Sequence, residues 1–138
     1  MRLADLPLST RLIREMHGVL LDGVRGQEKT PGEFRRTQNW IGSPENRPDT
    51  ATFVPPTVEQ LRPALDDWER FVRDPDPQLP LLVRTALLHC QFETIHPFLD
   101  GNGRIGRLLI VLHLIEQGPL VAPLLPISTH LELRRVRR

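Results

Sequence analysis

The segment from residue 96 to residue 107 holds most of the side chains in this sequence that are suited to chemistry. It contains a candidate base, His96, and a hard oxygen ligand, Asp100. Glycines follow, and two cations, Arg104 and Arg107, lie one helical turn apart. A helix that begins in such a loop presents free N–H groups and the positive end of its dipole, a combination that favours phosphate. The segment therefore predicts chemistry on a nucleotide phosphate.

The glycines of this segment also match a dinucleotide-binding fingerprint. That fingerprint requires a preceding strand and an acidic residue about 20 positions further on. Residues 79–95 instead form a run of helical length without strand alternation, and the sequence near residue 126 contains no acidic residue. A glycine-rich helix start without a ligand would account for the glycines alone. It leaves the neighbouring histidine, aspartate and arginines unexplained, so we favour the phosphate hypothesis over both alternatives.

The sequence from His96 to Arg107 resembles the signature motif of the Fic family at all of the motif's fixed positions. The resemblance implies an all-α fold: a compact Fic-type helical bundle with a short β-hairpin flap, forming one core domain over residues 1–138. It extends over about residues 10–133, through segments 31–35 and 38–42 (the family's target-docking flap), 53–56, 89–95 and 123–125.

Most Fic proteins transfer AMP from ATP to a Ser, Thr or Tyr hydroxyl of another protein. The resemblance therefore implies a protein adenylyltransferase that releases pyrophosphate. His96 would take the proton from the target hydroxyl, because a histidine near neutral pH can be deprotonated and still basic. Asp100 would hold Mg²⁺ or Mn²⁺ between two phosphates, since a carboxylate is the ligand that such a hard cation prefers.

The remaining motif residues would bind the phosphates of ATP. Glycine allows the backbone to approach a phosphate without a side-chain clash. The forked donors of Arg104 suit a phosphate clamp, and Arg107, one turn further on, would hold the γ-phosphate. The expected phosphate-binding set is Gly101, Asn102, Gly103, Arg104 and Arg107.

Residues 22–56 contain many glycines, prolines, asparagines and threonines and few apolar residues in any period. We predict a loop with a short hairpin near Phe34 to Ile41. A long open segment in a small domain is more often functional than idle. By resemblance, the flap at about residues 31–42 would dock the target protein through backbone pairing. The candidate docking residues are Phe34, Gln38, Asn39, Trp40 and Ile41.

Helical periodicity and capping signals predict the elements that must position the motif. Outside the motif, His17, His89 and His113 are expected to be structural, and Cys90 is expected to be a small core residue. The predicted helices run from Ser9 or Thr10 to about Leu21, from the capping box at Thr57 to about residue 73, from about Leu79 to Thr94, from near Asn102 to Gly118, and onward from about Ser128.

Composition limits the remaining possibilities. The formal net charge is +1, so bulk charge recruits neither nucleic acid nor membrane, and the basic tail at residues 134–138 is expected to be a solvated end. No apolar run reaches the length of about 18 residues that a membrane span requires. The single cysteine fits a reducing compartment, and the first residues do not resemble a signal peptide, so we expect a cytoplasmic location.

Many Fic proteins carry an inhibitory helix with a Ser/Thr-x-x-x-Glu-Gly/Asn element, whose glutamate occupies the arginine that holds the γ-phosphate. The N-terminal residues contain no such element, and the sequence from Ser128 to Glu132 matches only its first part because Leu133 follows. We therefore expect a core without the regulatory segment, with inhibition supplied by that missing segment or by a partner. Three alternatives remain open: transfer of another nucleotide, removal of AMP, or an inactive core that binds a nucleotide or a partner.

Overall fold

The computed structural model describes residues 7–23, 28–74 and 78–119. The all-α prediction is confirmed, and none of the helices in these ranges has the length and apolarity that a membrane crossing requires. The predicted fifth helix near Ser128 and the basic tail at 134–138 lie outside the described residues. The helices are α1 (Thr10–Leu21), α2 (Val58–Arg73), α3 (Leu81–Ile95) and α4 (Asn102–Glu116), with a short 3₁₀ turn at Pro48–Thr50.

The helix boundaries follow from local capping. The Ser9 hydroxyl accepts the Leu12 N–H at the start of α1. A reciprocal capping box between Thr57 and Gln60 begins α2, as predicted. The end of α3 differs, because its C-cap is His96 in the left-handed conformation (φ 49°), and α4 begins after Gly101, which is also left-handed (φ 82°). The turn between α3 and α4 is thus built from the first residues of the motif.

The core lies where α3 packs between α2 and α4. The Trp68 indole N–H donates to the Leu88 carbonyl at 2.9 Å, which fixes α2 against α3. Phe98 enters the same core from the motif turn and is fully buried. Burial of a side chain of this size stabilises a fold by roughly 1.5–3 kcal/mol, so Phe98 anchors the turn to the bundle.

The expectation that Cys90 is a core residue was wrong, because Cys90 is exposed. The buried stripe of α3 passes through Leu88, Phe92 and Ile95. Cys90 lies two positions from Leu88, about 200° around the helix, and therefore faces away from that stripe. Because α3 is apolar on most faces, its sequence does not indicate which face is buried, and Leu82 and Leu87 are exposed as well.

The predicted hairpin between Phe34 and Ile41 does not form. Ile41 instead makes an antiparallel bridge with Phe53, through N–H···O bonds of 2.9 and 3.2 Å. Backbone and side-chain groups from the Phe34–Ile41 segment bind the motif turn, and the Arg35 N–H donates to the Pro97 carbonyl at 2.8 Å. The flap is therefore a loop laid against the motif and closed at its far end by one bridge.

Candidate active site

His96 lies at the junction of α3 and the motif turn with its ring in a defined orientation. Its Nδ1 is 3.3 Å from the Glu93 carbonyl oxygen. Since a carbonyl can only accept, Nδ1 carries the proton and Nε2 keeps its lone pair. Burial lowers the pKa of His96 below its usual value; the Glu93 carbonyl and carboxylate oppose this change, and the Arg35 charge adds to it. The ring is thus neutral and basic near pH 7.

The flap holds the backbone of His96. The carbonyl oxygen of His96 accepts from Arg35 Nε at 2.9 Å and from Asn39 Nδ2 at 3.1 Å. Arg35 is only 2% exposed. Sequence reasoning gave Arg35 no role, because an arginine within a polar loop is ordinarily solvated and no local pattern distinguishes a buried one.

The side chains of the predicted docking residues mostly bind their own chain. Asn39 Nδ2 also donates to the Phe98 carbonyl at 3.1 Å, and Gln38 Nε2 donates to the carbonyls of Asn39 and Pro55. The Phe34 ring packs against the Phe98 ring with centroids 5.3 Å apart. Trp40 and Ile41 are half-buried at the outer part of the flap. The side chains of Phe34 and Asn39 therefore support the motif turn, and that of Gln38 ties the flap to residue 55.

Asn102 closes the motif turn with its side chain. It is 3% exposed; its Oδ1 accepts the Phe98 N–H at 2.9 Å, and its Nδ2 donates to the Phe98 carbonyl at 2.7 Å. The first intrahelical bond of α4 runs from the Ile105 N–H to the Gly101 carbonyl, and no side chain caps the helix. The main-chain N–H groups of residues 102–104 thus have no acceptor within the helix. Asn102 can therefore donate to an anion through its main-chain N–H, but its side-chain amide is already bound to Phe98.

The glycines beside this helix start allow neighbouring side chains to lie close to the main chain. Gly101 takes a positive φ that other residues adopt with strain. A Cβ on Gly103 would lie 3.4 Å from Arg107 Nη1, so the guanidinium of Arg107 passes over that glycine. The Arg104 side chain is 40% exposed. Both arginines thus lie at the positive end of the α4 dipole, which creates a cationic surface suited to phosphate.

Asp100 presents a half-exposed carboxylate next to that surface. Its Oδ1 accepts the Gly101 N–H at 2.7 Å, and its Oδ2 lies 3.7 Å from Arg104 Nη2. Within the described residues, no three His, Cys, Asp or Glu side chains are grouped as metal ligands. A single carboxylate fits Mg²⁺ of the kind held by one or two carboxylates together with substrate phosphates and water. It does not fit a closed, all-protein metal cage.

The other described histidines are structural, and two of them support the site. His17 Nε2 lies 2.8 Å from the Asp100 carbonyl, and its ring stacks on Phe98 at 3.8 Å. His89 Nδ1 lies 2.9 Å from the Gly106 carbonyl, which ties α3 to the first turns of α4. His113 is fully buried, with Nδ1 at 2.8 Å from the Thr85 hydroxyl. The sequence indicated a structural role for each but not that His17 reaches the motif.

Residues 7–114 match the sequence model of the Fic/DOC family. This chain belongs to the Fic/DOC family. The "Protein adenylyltransferase Fic" of Drosophila grimshawi is 33% identical over 121 residues, which cover 86% of this chain and 23% of that protein. The "Protein adenylyltransferase fic-1" of Caenorhabditis briggsae is 32% identical over 122 residues, or 87% of this chain and 22% of the relative. This chain thus spans less than a quarter of the length of these curated relatives.

Solved structures agree with the family assignment. A Fic family protein from Desulfovibrio desulfuricans superposes with a TM-score of 0.67 at 27% identity, over 88% of this chain and 34% of that one. A Fic domain-containing signaling protein from Bacteroides thetaiotaomicron gives 0.66 at 27% identity, over 83% and 41% of the two chains. The fold of this Fic/DOC domain is therefore shared with proteins that are considerably longer.

Proposed function

We propose that this Fic/DOC domain is a protein adenylyltransferase, which transfers AMP from ATP to a Ser, Thr or Tyr hydroxyl of a target protein. One observation carries the proposal: a turn of the motif joins the basic Nε2 of His96 to the uncapped, arginine-bearing N-terminus of α4. A base for a hydroxyl and a cradle for a polyphosphate are thus built from one short segment. The printed names of the curated relatives support adenylyl transfer as the reaction.

In the proposed reaction, His96 Nε2 accepts the proton of the target hydroxyl. The hydroxyl oxygen then forms a bond to the α-phosphorus of ATP, and the bond from that phosphorus to the bridging oxygen breaks. Pyrophosphate leaves with the electron pair. The free N–H groups at the start of α4 and the guanidinium groups of Arg104 and Arg107 offset the charge on the phosphates. Holding both reactants in line supplies much of the rate enhancement.

Asp100 is the residue that would hold Mg²⁺ or Mn²⁺. When bound, such a cation neutralises part of the phosphate charge as pyrophosphate departs. The chain itself fixes Asp100 through the His17 bond to its carbonyl and through the Gly101 N–H bond to its carboxylate. The carboxylate is consequently placed before any ligand arrives.

The proposed partner is a protein that presents a hydroxyl side chain to the flap, within residues 31–42. The Gln38 and Asn39 side chains hold this backbone against its own chain. A backbone fixed in this way is ready to pair with an extended peptide, because little conformational freedom is then lost on binding. We propose that such pairing brings the hydroxyl to His96.

The proposal is tested with ATP labelled at the α-phosphate, Mg²⁺ and a cell lysate. Labelled proteins are expected with the wild-type chain and not with His96→Ala, although ATP affinity should stay within a few fold. Thr94→Ala is the matched control, since Thr94 lies in the same turn of α3 but is exposed and binds only the Cys90 carbonyl. Equal labelling by wild type and His96→Ala would overturn the proposal.

A competition experiment separates AMP transfer from transfer of another nucleotide. The cradle contacts phosphates, which ATP shares with every other nucleoside triphosphate. Unlabelled ATP is expected to suppress labelling at lower concentration than GTP, CTP or UTP. Stronger suppression by one of the other three would replace AMP by that nucleotide in the proposal.

A further inference from the structure

Arg35 is a buried cation whose side-chain hydrogen bonds all go to main-chain carbonyl oxygens. Its Nε donates to His96, and its Nη groups donate to Pro56 at 2.5 Å and to Thr37 and Ile95 at 3.4 Å. Within the described ranges it forms no ion pair with a carboxylate. Burying a guanidinium without a carboxylate is unfavourable, and that cost marks the position as one with a purpose beyond packing.

The carbonyls bound by Arg35 belong to three separate segments. Thr37 lies in the flap, Pro56 precedes the capping residue of α2, and Ile95 and His96 end α3. The planar fork of a guanidinium can bind several acceptors in fixed directions, whereas a lysine ammonium offers a compact point charge. A cation at a helix C-terminus also interacts favourably with the negative end of the dipole. Arg35 is thus the point at which the flap, the start of α2 and the end of α3 are joined.

The backbone that Arg35 binds is strained. His96 has φ 49° and ψ 61°, a left-handed conformation that a non-glycine residue keeps only when its surroundings impose it. Its carbonyl accepts from both Arg35 and Asn39, and the main-chain N–H of Arg35 binds the next carbonyl, that of Pro97. The direction of the His96 ring depends on this backbone conformation.

We propose that Arg35 is a positioning residue, which holds His96 in the left-handed conformation that directs its imidazole at the target hydroxyl. The inference rests on the proposed role of His96 as the base. The same guanidinium charge opposes protonation of the ring, since Arg35 lowers the pKa of His96. Arg35 therefore acts on the base in two ways, through geometry and through charge.

Two substitutions separate geometry from charge. Arg35→Lys keeps a cation near the end of α3 but loses the fork, and Arg35→Met loses both. Arg84→Met is the matched control: Arg84 is also buried and binds a carbonyl, that of Asp74, but it lies on the order of 18 Å before His96 along α3. Thermal melts of all variants identify those that fold, and rates are expressed per folded protein.

The first measurement is kcat and KM for ATP across pH. Both Arg35 variants should lose roughly a hundredfold in kcat, the scale of a misplacement of about 1 Å, even at a pH where His96 is neutral. KM for ATP should change by no more than a few fold, and Arg84→Met should keep the wild-type kcat. The positioning role would be overturned if kcat of the Arg35 variants recovered fully at high pH, or if Arg35→Lys kept the wild-type kcat.

The second measurement needs no activity, so it distinguishes failure of this inference from failure of the proposed function. Nuclear magnetic resonance of the His96 ring, assigned by the signal lost in His96→Ala, should show a raised pKa in Arg35→Met and a nearly unchanged one in Arg35→Lys. In both Arg35 variants, the main-chain chemical shifts of His96 should move out of the range that is typical of the left-handed conformation. In Arg84→Met they should remain within that range. Unchanged shifts in Arg35→Lys would refute the inference whether or not the wild-type chain transfers AMP.

Discussion

His17 and Asp100 are separated by 83 positions in the sequence, yet His17 Nε2 lies 2.8 Å from the Asp100 carbonyl oxygen. The Gly32 N–H donates to His17 Nδ1 at 2.9 Å, so Nε2 carries the ring proton and donates it to Asp100. One neutral imidazole therefore connects α1, the flap and the residue proposed to hold the metal. The main chain of Asp100 is consequently held from outside the motif, whereas its carboxylate is held within the motif by the Gly101 N–H.

Replacing His17 by leucine should weaken both transfer and metal use. The change leaves the Gly32 N–H and the Asp100 carbonyl without partners, each at a cost of about 1–3 kcal/mol in unfolding free energy. The Mg²⁺ concentration for half-maximal transfer should rise and kcat should fall, on the order of tenfold, because the main chain that carries Asp100 loses its bond to α1. Val19→Ala, an exposed change on α1, serves as the control. An unchanged Mg²⁺ dependence in folded His17→Leu would contradict the prediction.

The rate of transfer should depend on pH through His96. Burial, with a contribution from Arg35, lowers the pKa of His96 from its usual 6.5. The unprotonated form is the base, so kcat should fall on acidification with its midpoint below pH 6.5. The check is kcat against pH at saturating ATP and target. A rate that keeps rising well above pH 7 would assign the titration to another group.

Loss of the Asn102 side chain should open the motif turn. Asn102→Ala removes both bonds to Phe98 and leaves a buried N–H unpaired, so we expect a loss of about 1–3 kcal/mol in unfolding free energy. Asn102→Asp keeps an acceptor for the Phe98 N–H but directs a carboxylate at the Phe98 carbonyl, and should also destabilise. Urea denaturation measures both variants. Wild-type stability in Asn102→Ala would show that the turn is held by Phe98 burial alone.

A side chain at Gly106 should displace Glu93 and His89 from their present positions. An alanine Cβ at this position would overlap Glu93 Oε1 and lie 3.1 Å from His89 Cε1. Glycine to alanine within a helix ordinarily stabilises by about 1 kcal/mol. Here that gain should be lost, because the Glu93 carboxylate must move aside and the His89 ring is held by its bond to the Gly106 carbonyl. Adding Glu93→Ala should recover most of the loss in thermal or urea unfolding; no recovery would place the obstruction elsewhere.

His113 should make the fold sensitive to acid. Burial, followed by the charge of Arg84, lowers the pKa of His113 from 6.5 to about 4. Between these values the unfolded chain binds a proton that the folded chain does not, so unfolding free energy falls as pH falls through this window, by about 3 kcal/mol in total. His113→Leu should flatten the dependence, since Thr85 still donates to the Leu81 carbonyl. An equal slope of unfolding free energy against pH in the wild type and in His113→Leu would contradict the assignment of this acid sensitivity to His113.

The helices were predictable from sequence because their signals are local. The capping box at Thr57 and the glycine before Asn102 specify the first residues of α2 and α4 within a few positions. The hairpin prediction was wrong for the opposite reason. The main chain of residues 34–41 has partners in the motif turn and at Phe53, and neither partner leaves a trace in local spacing.

The residues of the candidate site also divide into those with a local sequence signal and those without one. The twelve-residue motif marked His96, Asp100 and the glycine-rich helix start, because those residue types at those spacings have few other uses. Arg35 and His17 were not distinguishable, since an arginine in a polar loop and a histidine beside an apolar stripe commonly have ordinary roles. Their importance comes from contacts with residues 61 and 83 positions away, which only the folded chain brings together.

The hydrogen bonds that hold the motif turn have a consequence for protein engineering. The carbonyls of His96, Pro97, Phe98 and Asp100 are each bound by a group from residues 17 to 39. A twelve-residue insert transplanted onto another helical hairpin would carry every reacting group and none of these restraints. A working graft would have to import the supporting arginine, asparagine and histidine from the first third of the chain as well, at matching positions. A transferable site would therefore combine the motif with residues that are distant from it in the sequence, rather than consist of the motif alone.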